Sequence, residues 1–153
     1  HDTSEHQRLE DLWNLMKDLA RTCEEGNVDY VFVGSAAAHI QGALPPVDEP
    51  HSVELIVQWD LACRVYAALA QYECSELADD EEGRRFTLKS GNLTAFVFSE
   101  KGAVVAADQD RLACRADAGG GSMLLWARTL YSLRDSATGH GLKKTDSSRA
   151  RFV

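Results

Sequence analysis

The chain has 153 residues, 44% hydrophobic and 26% charged, with a formal charge of −8 and a pI near 5.0. That size and balance fit one domain with a real core. The acidity excludes a broad nucleic-acid surface, which needs a basic footprint. No apolar run approaches the roughly 18 residues that cross a membrane.

The start carries no signal-peptide pattern. Cys23, Cys63, Cys74 and Cys114 are scattered, with no CxxC pair and no zinc-like spacing. Cys23 and Cys63 fall on apolar faces of predicted helices. Reduced cysteines packed as small hydrophobes are expected, and with them a cytoplasmic or otherwise intracellular setting. The chain is taken as a single domain over 1–153, with 1–3 as a cloning remnant and 136–153 as a tail or a last short helix. A partner domain or an antitoxin outside these boundaries is left open.

Ser4 to Glu25 reads as a helix. Ser4 and Gln7 form a capping-box pattern, and Leu9, Leu12, Trp13, Met16, Leu19, Ala20 and Cys23 recur on one face. Gly26 is placed to end it. Val28 to Val33 is near-continuously apolar, as in a strand buried on both faces. Gly34-Ser35 turns the chain into a short Ala-rich helix that stops at Gly42. A strand, a Gly-Ser turn and a helix start can hold an anion on free backbone N–H groups. The same turn also serves as plain structure, with Ser35 as the helix cap. Residues 42–52 form a Pro-rich loop. Its Asp48, Glu49 and His51 are either solvated or ligands of a divalent cation.

Val53 to Gln58 is a second strand, with Glu54 on the face opposite Val53, Leu55 and Val57. A carboxylate near the start of a core-like strand needs a partner or a metal. Trp59 to Tyr72 reads as a helix and Glu73 to Gly83 as an acidic, solvated turn. Phe86 to Leu88 and Leu93 to Phe98 form a hairpin across Lys89-Ser-Gly-Asn92. Ala103 to Ala107 reads as a short strand, and Asp108 to Arg115 is ambiguous. Gly119 to Gly121 is a break before a predicted last helix, Met123 to Arg134.

Set in order, these elements resemble the minimal nucleotidyltransferase fold of the DNA-polymerase-β-like superfamily, including its AbiEii-like and antitoxin-linked members. Tyr30-Val-Phe-Val-Gly34-Ser35-Ala-Ala-Ala-His-Ile-Gln-Gly42 is similar to the family's opening strand, Gly-Ser turn and helix. Ser52-Val53-Glu54-Leu-Ile-Val57 falls where its Asp-x-Asp strand would sit. Leu124-Leu-Trp-Ala-Arg128 and Lys143-Lys144-Thr-Asp146 are similar to its C-terminal helix and Lys/Asp segment. The likeness implies an α/β (α+β) fold, a nucleotidyltransferase-like mixed sheet flanked by helices. It also implies phosphate contacts at Gly34, Ser35, Lys143 and Lys144, and Mg²⁺ at Glu54 with Ser52 beside it. In the family, two aspartates hold Mg²⁺ and a third carboxylate activates the acceptor hydroxyl.

The departures weigh more than the match. Ser52 stands at the first aspartate position and Glu54 at the second. The third belongs on Leu93 to Phe98, where Thr94 or Ala95 stands. Glu100 could substitute only in a different register. The loop also lacks the expected arginine near Pro45-Pro46. Two readings follow, beside an unrelated α/β domain. One is a degenerate member, a pseudoenzyme that binds a nucleotide or a protein partner. The other is an active Mg²⁺-dependent transferase moving NMP from an NTP to a protein, RNA or small-molecule hydroxyl. A hydrolase is a poor third, because Val33-Gly34-Ser35-Ala36-Ala37 lacks the second glycine of a nucleophile elbow, and His39 lies only one helical turn from Ser35.

Overall fold

The computed structural model describes residues 2–43, 52–105, 110–118 and 120–130. The Pro-rich loop with Asp48, Glu49 and His51, the expected end of the last helix, the basic tail and the Lys143-Lys144 pair lie outside them. Among the described residues the fold is mixed α+β, one eight-stranded sheet with its helices on one face. In chain order the elements are α1 (Asp2–Glu25), β1 (Tyr30–Val33), α2 (Gly34–Ile40), β2 (Ser52–Val57), a 3₁₀ turn (Trp59–Leu61), α3 (Ala62–Ala68), β3 (Glu73–Cys74) and β4 (Ala78–Asp80). β5 (Gly83–Ser90), β6 (Leu93–Glu100), β7 (Arg111–Ala116) and β8 (Met123–Arg128) complete them.

The sheet order is β3-β5-β6-β2-β1-β8-β7, with β4 added to β5. β2 runs antiparallel to β1 and parallel to β6, so the segment between β2 and β6 is a crossover. All four residues of β1 are buried, as the apolar run requires. Tyr30, Phe32, Val53, Leu55, Val57, Leu88, Ala95, Val97, Leu125 and Ala127 face the helices and form the main core with Leu15, Met16, Leu19, Ala37, Val65 and Leu69. On the other face Val31, Val33 and Ile56 form a smaller cluster, capped by Val105 and touched by Phe98.

α1 matches its apolar pattern, with Leu15, Met16, Leu19, Ala20 and Cys23 at 2% exposure or less. The residue in the left-handed region at its end is Asn27 (φ 57°), not Gly26, and the Val28 amide donates back to the Cys23 carbonyl at 2.8 Å. Lys17 on α1 is only 4% exposed, and its Nζ donates to the carbonyls of Ala118 and Gly121. This pins the β7–β8 turn to the helix. Lys17→Met would keep the aliphatic stem and leave both carbonyls without that donor, at a cost of about 2 kcal/mol. The expected fall in thermal midpoint is about 6 °C. An unchanged midpoint would show that the clamp contributes nothing.

Several sequence expectations need correction. Met123–Arg128 is a strand, parallel to β1 with Phe32 opposite Ala127 and antiparallel to β7. Its burial alternates with period two: Leu125 and Ala127 are fully buried, and Leu124 is 55% exposed. Helix-forming side chains yield here to the need of β1 for a second hydrogen-bonded neighbour. The acidic stretch before β5 is not a free turn. β4 pairs with β5, and Asp80 meets Arg85 at 2.7 Å across it. The Arg85 guanidinium holds the Asp80 carboxyl below the usual carboxylate range. The helix expected over 59–72 shrinks to the 3₁₀ turn and α3. Residues 103–105 form no strand. The hairpin is longer than expected, Gly83–Ser90 against Leu93–Glu100, and turns at Gly91-Asn92 with Gly91 at φ 63°. Cys63 is exposed rather than packed. The other free thiol on a helix, Cys23, is buried, and desolvation pushes it up to about 12.

Candidate functional site

The site begins where β1 becomes α2. Gly34 has φ +65°, a conformation that side chains rarely adopt, and this lets the helix start directly after the buried strand. Ser35 lies inside the first turn of α2, next to the Gly34 backbone. It is not the cap: the N-cap residue is Val33, with no side-chain cap bond.

Antiparallel pairing sets Val33 opposite Glu54 and so brings the β2 carboxylate to this turn. A Cβ built on Gly34 would lie 1.8 Å from Glu54 Oε1 and 2.9 Å from its carboxyl carbon. The structure thus brings Gly34, Ser35, Ser52 and Glu54 to one end of the sheet. Glu54 is half-buried, while Val53 and Leu55 on the opposite face are fully buried, as the strand pattern requires.

β6 supplies the other side. Its register sets Ser52 beside Thr94 and Glu54 beside Phe96. Thr94 and Phe96 are half-buried on the Glu54 face, and Ala95 is fully buried in the core. Of the two positions expected for a third carboxylate, Thr94 therefore faces the site and Ala95 does not. The β6 residue opposite Glu54 is Phe96, which sequence reasoning passed over. The alternation Thr94, Phe96, Phe98, Glu100 was the signal that could have found it. Glu100 shares this face but lies four residues past Phe96, about 13 Å along the strand. That is too far to act with Glu54. Among the described residues, no group of three His, Cys, Asp or Glu side chains is placed to hold a metal ion.

A cavity of about 470 Å³ continues along the same face. Ile56, two residues along β2 from Glu54, and Phe98 line it together with Arg85 and Glu100. At the opposite end of these strands, where β5 begins, Arg84 lies 4.1 Å over the Trp59 ring and 3.3 Å from Asp79. His39 takes no part in the site. Its ring packs 4.9 Å from Trp13 and its Nδ1 is 3.3 Å from the Ala43 carbonyl. Burial lowers its pKa, partly offset by that carbonyl. Gln41, at the end of α2, donates to the Arg128 carbonyl at 2.6 Å and accepts from the Leu130 amide at 3.2 Å, fixing the exit from β8.

No protein-family model matches the sequence, and no curated protein matches it. Among solved structures, the chain is similar to the antibiotic-resistance factor ANT(2'')-Ia at 13% identity and a TM-score of 0.51, over 97% of this chain and 79% of that one. The lincosamide antibiotic adenylyltransferase LnuA, bound to lincomycin, gives 14% identity, a TM-score of 0.48, and 81% and 84% coverage. A CCA-adding enzyme in complex with ATP gives 14%, 0.45, and 82% and 32%. At such identities the likeness to ANT(2'')-Ia is one of fold. No helix among the described residues is long and apolar enough to cross a membrane.

Proposed function

We propose, starting from the nucleotidyltransferase-like fold that this chain has, that it is a degenerate member: a domain that binds a nucleotide or a protein partner and transfers little or nothing. One observation carries the reading. The registers of β1, β2 and β6 surround Glu54 with Val33 and Phe96, and pair Ser52 with Thr94. Phosphoryl transfer by this fold needs carboxylates to hold metal and to activate the acceptor. A single carboxylate beside two hydroxyls does not fit a two-metal site. Mg²⁺ enters this reading only as a counter-ion brought with a nucleotide.

Gly34, Ser35, Lys143 and Lys144 are the proposed nucleotide contacts. The protein-partner arm draws on the edge of the sheet. β7 pairs only with β8 among the described strands, and Leu112 and Leu124 on this hairpin are 39% and 55% exposed. The alternative, an active transferase, needs two further carboxylates. Asp48 and Glu49, on the loop before β2, lie outside the described residues.

The test is an assay with labelled ATP, GTP, CTP and UTP in Mg²⁺ or Mn²⁺, alongside titration calorimetry. The expected result is weak binding that metal strengthens less than about twofold, with no transfer. Metal-dependent transfer that disappears in Glu54→Ala would overturn the proposal in favour of the enzyme.

A further inference from the structure

The residue at the second aspartate position is longer than an aspartate by one methylene, and the structure shows where the extra length goes. Glu54 is hemmed in across the sheet by Val33 on β1 and Phe96 on β6. Val33 is only 5% exposed. The side chain reaches over Gly34, the neighbour without a side chain, until Oε1 sits where a Gly34 Cβ would be. A polyphosphate settling on the backbone of this turn would need the same space, and would meet a negative charge already there.

We infer that Glu54 is an internal occupant of the Gly34 turn, a carboxylate standing in the place of a phosphate and excluding polyanions, and not a metal ligand. The inference rests on the nucleotide-site reading above and names how that site is held closed. Three observations support it. The carboxylate fills the one gap that the missing Cβ leaves. The residues beside it, Ser52, Thr94 and Phe96, offer no second carboxylate with which to share a cation. The backbone at Gly34 is in the left-handed region, so the turn can present its surface to an anion only while position 34 has no side chain.

The experiment has two arms. In the first, calorimetry measures ATP and inorganic triphosphate against wild type, Glu54→Gln and Glu54→Ala, with EDTA and then with Mg²⁺. Glu54→Ala should bind both probes at least tenfold more tightly than wild type without metal. Glu54→Gln, which loses the charge but keeps the bulk, should gain less. Equal or weaker metal-free binding by Glu54→Ala, beside measurable wild-type binding, overturns the inference and leaves the nucleotide reading standing. If no form binds either probe under any condition, the nucleotide reading falls and the inference with it.

The second arm needs no ligand. Gly34→Ala is made in the wild-type and Glu54→Ala backgrounds and followed by thermal unfolding, with circular dichroism to confirm that each variant folds. A smaller loss of midpoint in the Glu54→Ala background supports the occupied turn. An equal loss in both backgrounds shows that the carboxylate does not fill that space, and overturns the inference whatever the nucleotide data say.

Discussion

Gly83→Ala is expected to lower the thermal midpoint by about 9 °C. Gly83 opens β5 at φ +147°, a region open almost only to glycine, and a non-glycine residue there costs roughly 1–3 kcal/mol. A Cβ at this position would lie 2.0 Å from the Ser99 carbonyl oxygen and 3.1 Å from its carbon. Those atoms are backbone of the paired strand, so they cannot swing aside as a side chain can. Gly83 pairs with Glu100, and the neighbouring Ser99 hydroxyl donates to the Arg84 carbonyl at 3.1 Å. Relief of the clash must therefore spread the end of the hairpin. Together the terms reach about 3 kcal/mol, and each kilocalorie moves the midpoint by roughly 2–4 °C in a chain of this size. Differential scanning calorimetry decides the matter. A fall below about 3 °C would mean that the strands separate there at little cost.

The second large effect is a gain. Ser52→Asp/Thr94→Asp is expected to give the protein a Mg²⁺-dependent stability that the wild type lacks. The two positions face each other across β2 and β6 and share their face with Glu54. Strands lie about 4.8 Å apart, so the two new carboxylates would lie within reach of one cation even with Glu54 held at the Gly34 turn. Without metal the new pair repels and costs up to about 1 kcal/mol. With Mg²⁺ at about 100 times its dissociation constant, binding to the folded state alone adds about 2.7 kcal/mol. The double variant should then melt roughly 5–11 °C higher in saturating Mg²⁺ than in EDTA. The wild type should move by about a degree or less. Equal midpoints for the variant in Mg²⁺ and EDTA would mean that this row is not the remnant of a metal site.

Much of the fold could be read from the chain because its centre is locally consistent. The apolar run Tyr30–Val33, the glycine at the turn and the alternation over Ser52–Val57 each point to the element that forms. Glu54 was legible as the exception on a core strand. Its intimate contact with Gly34 was not, because it depends on the β1–β2 register rather than on spacing along the chain. β8 was misread because Met, Leu and Ala are good helix formers. Only the free side of β1 makes them a strand, and that constraint comes from residues far away in sequence. β4 was missed for the opposite reason. Its aspartates look like solvent-facing turn residues until Arg84 and Arg85 come alongside. On β6, a reading of strand composition without register could not choose between Thr94 and Ala95, and passed over Phe96, the residue set beside the carboxylate.

The parallel pairing of β1 with β8 also governs how the protein comes into being. Phe32 and Ala127 are 95 positions apart, the difference of their numbers. A ribosome that has just released β1 must add every residue up to β8 before the partner of its second edge exists. Until then a strand apolar on both faces has one side unpaired, the kind of surface that associates with its copies. Closure over so long a separation is slow as well as late. A chain made in order therefore passes through a long interval in which β1 has β2 on one side and no partner on the other.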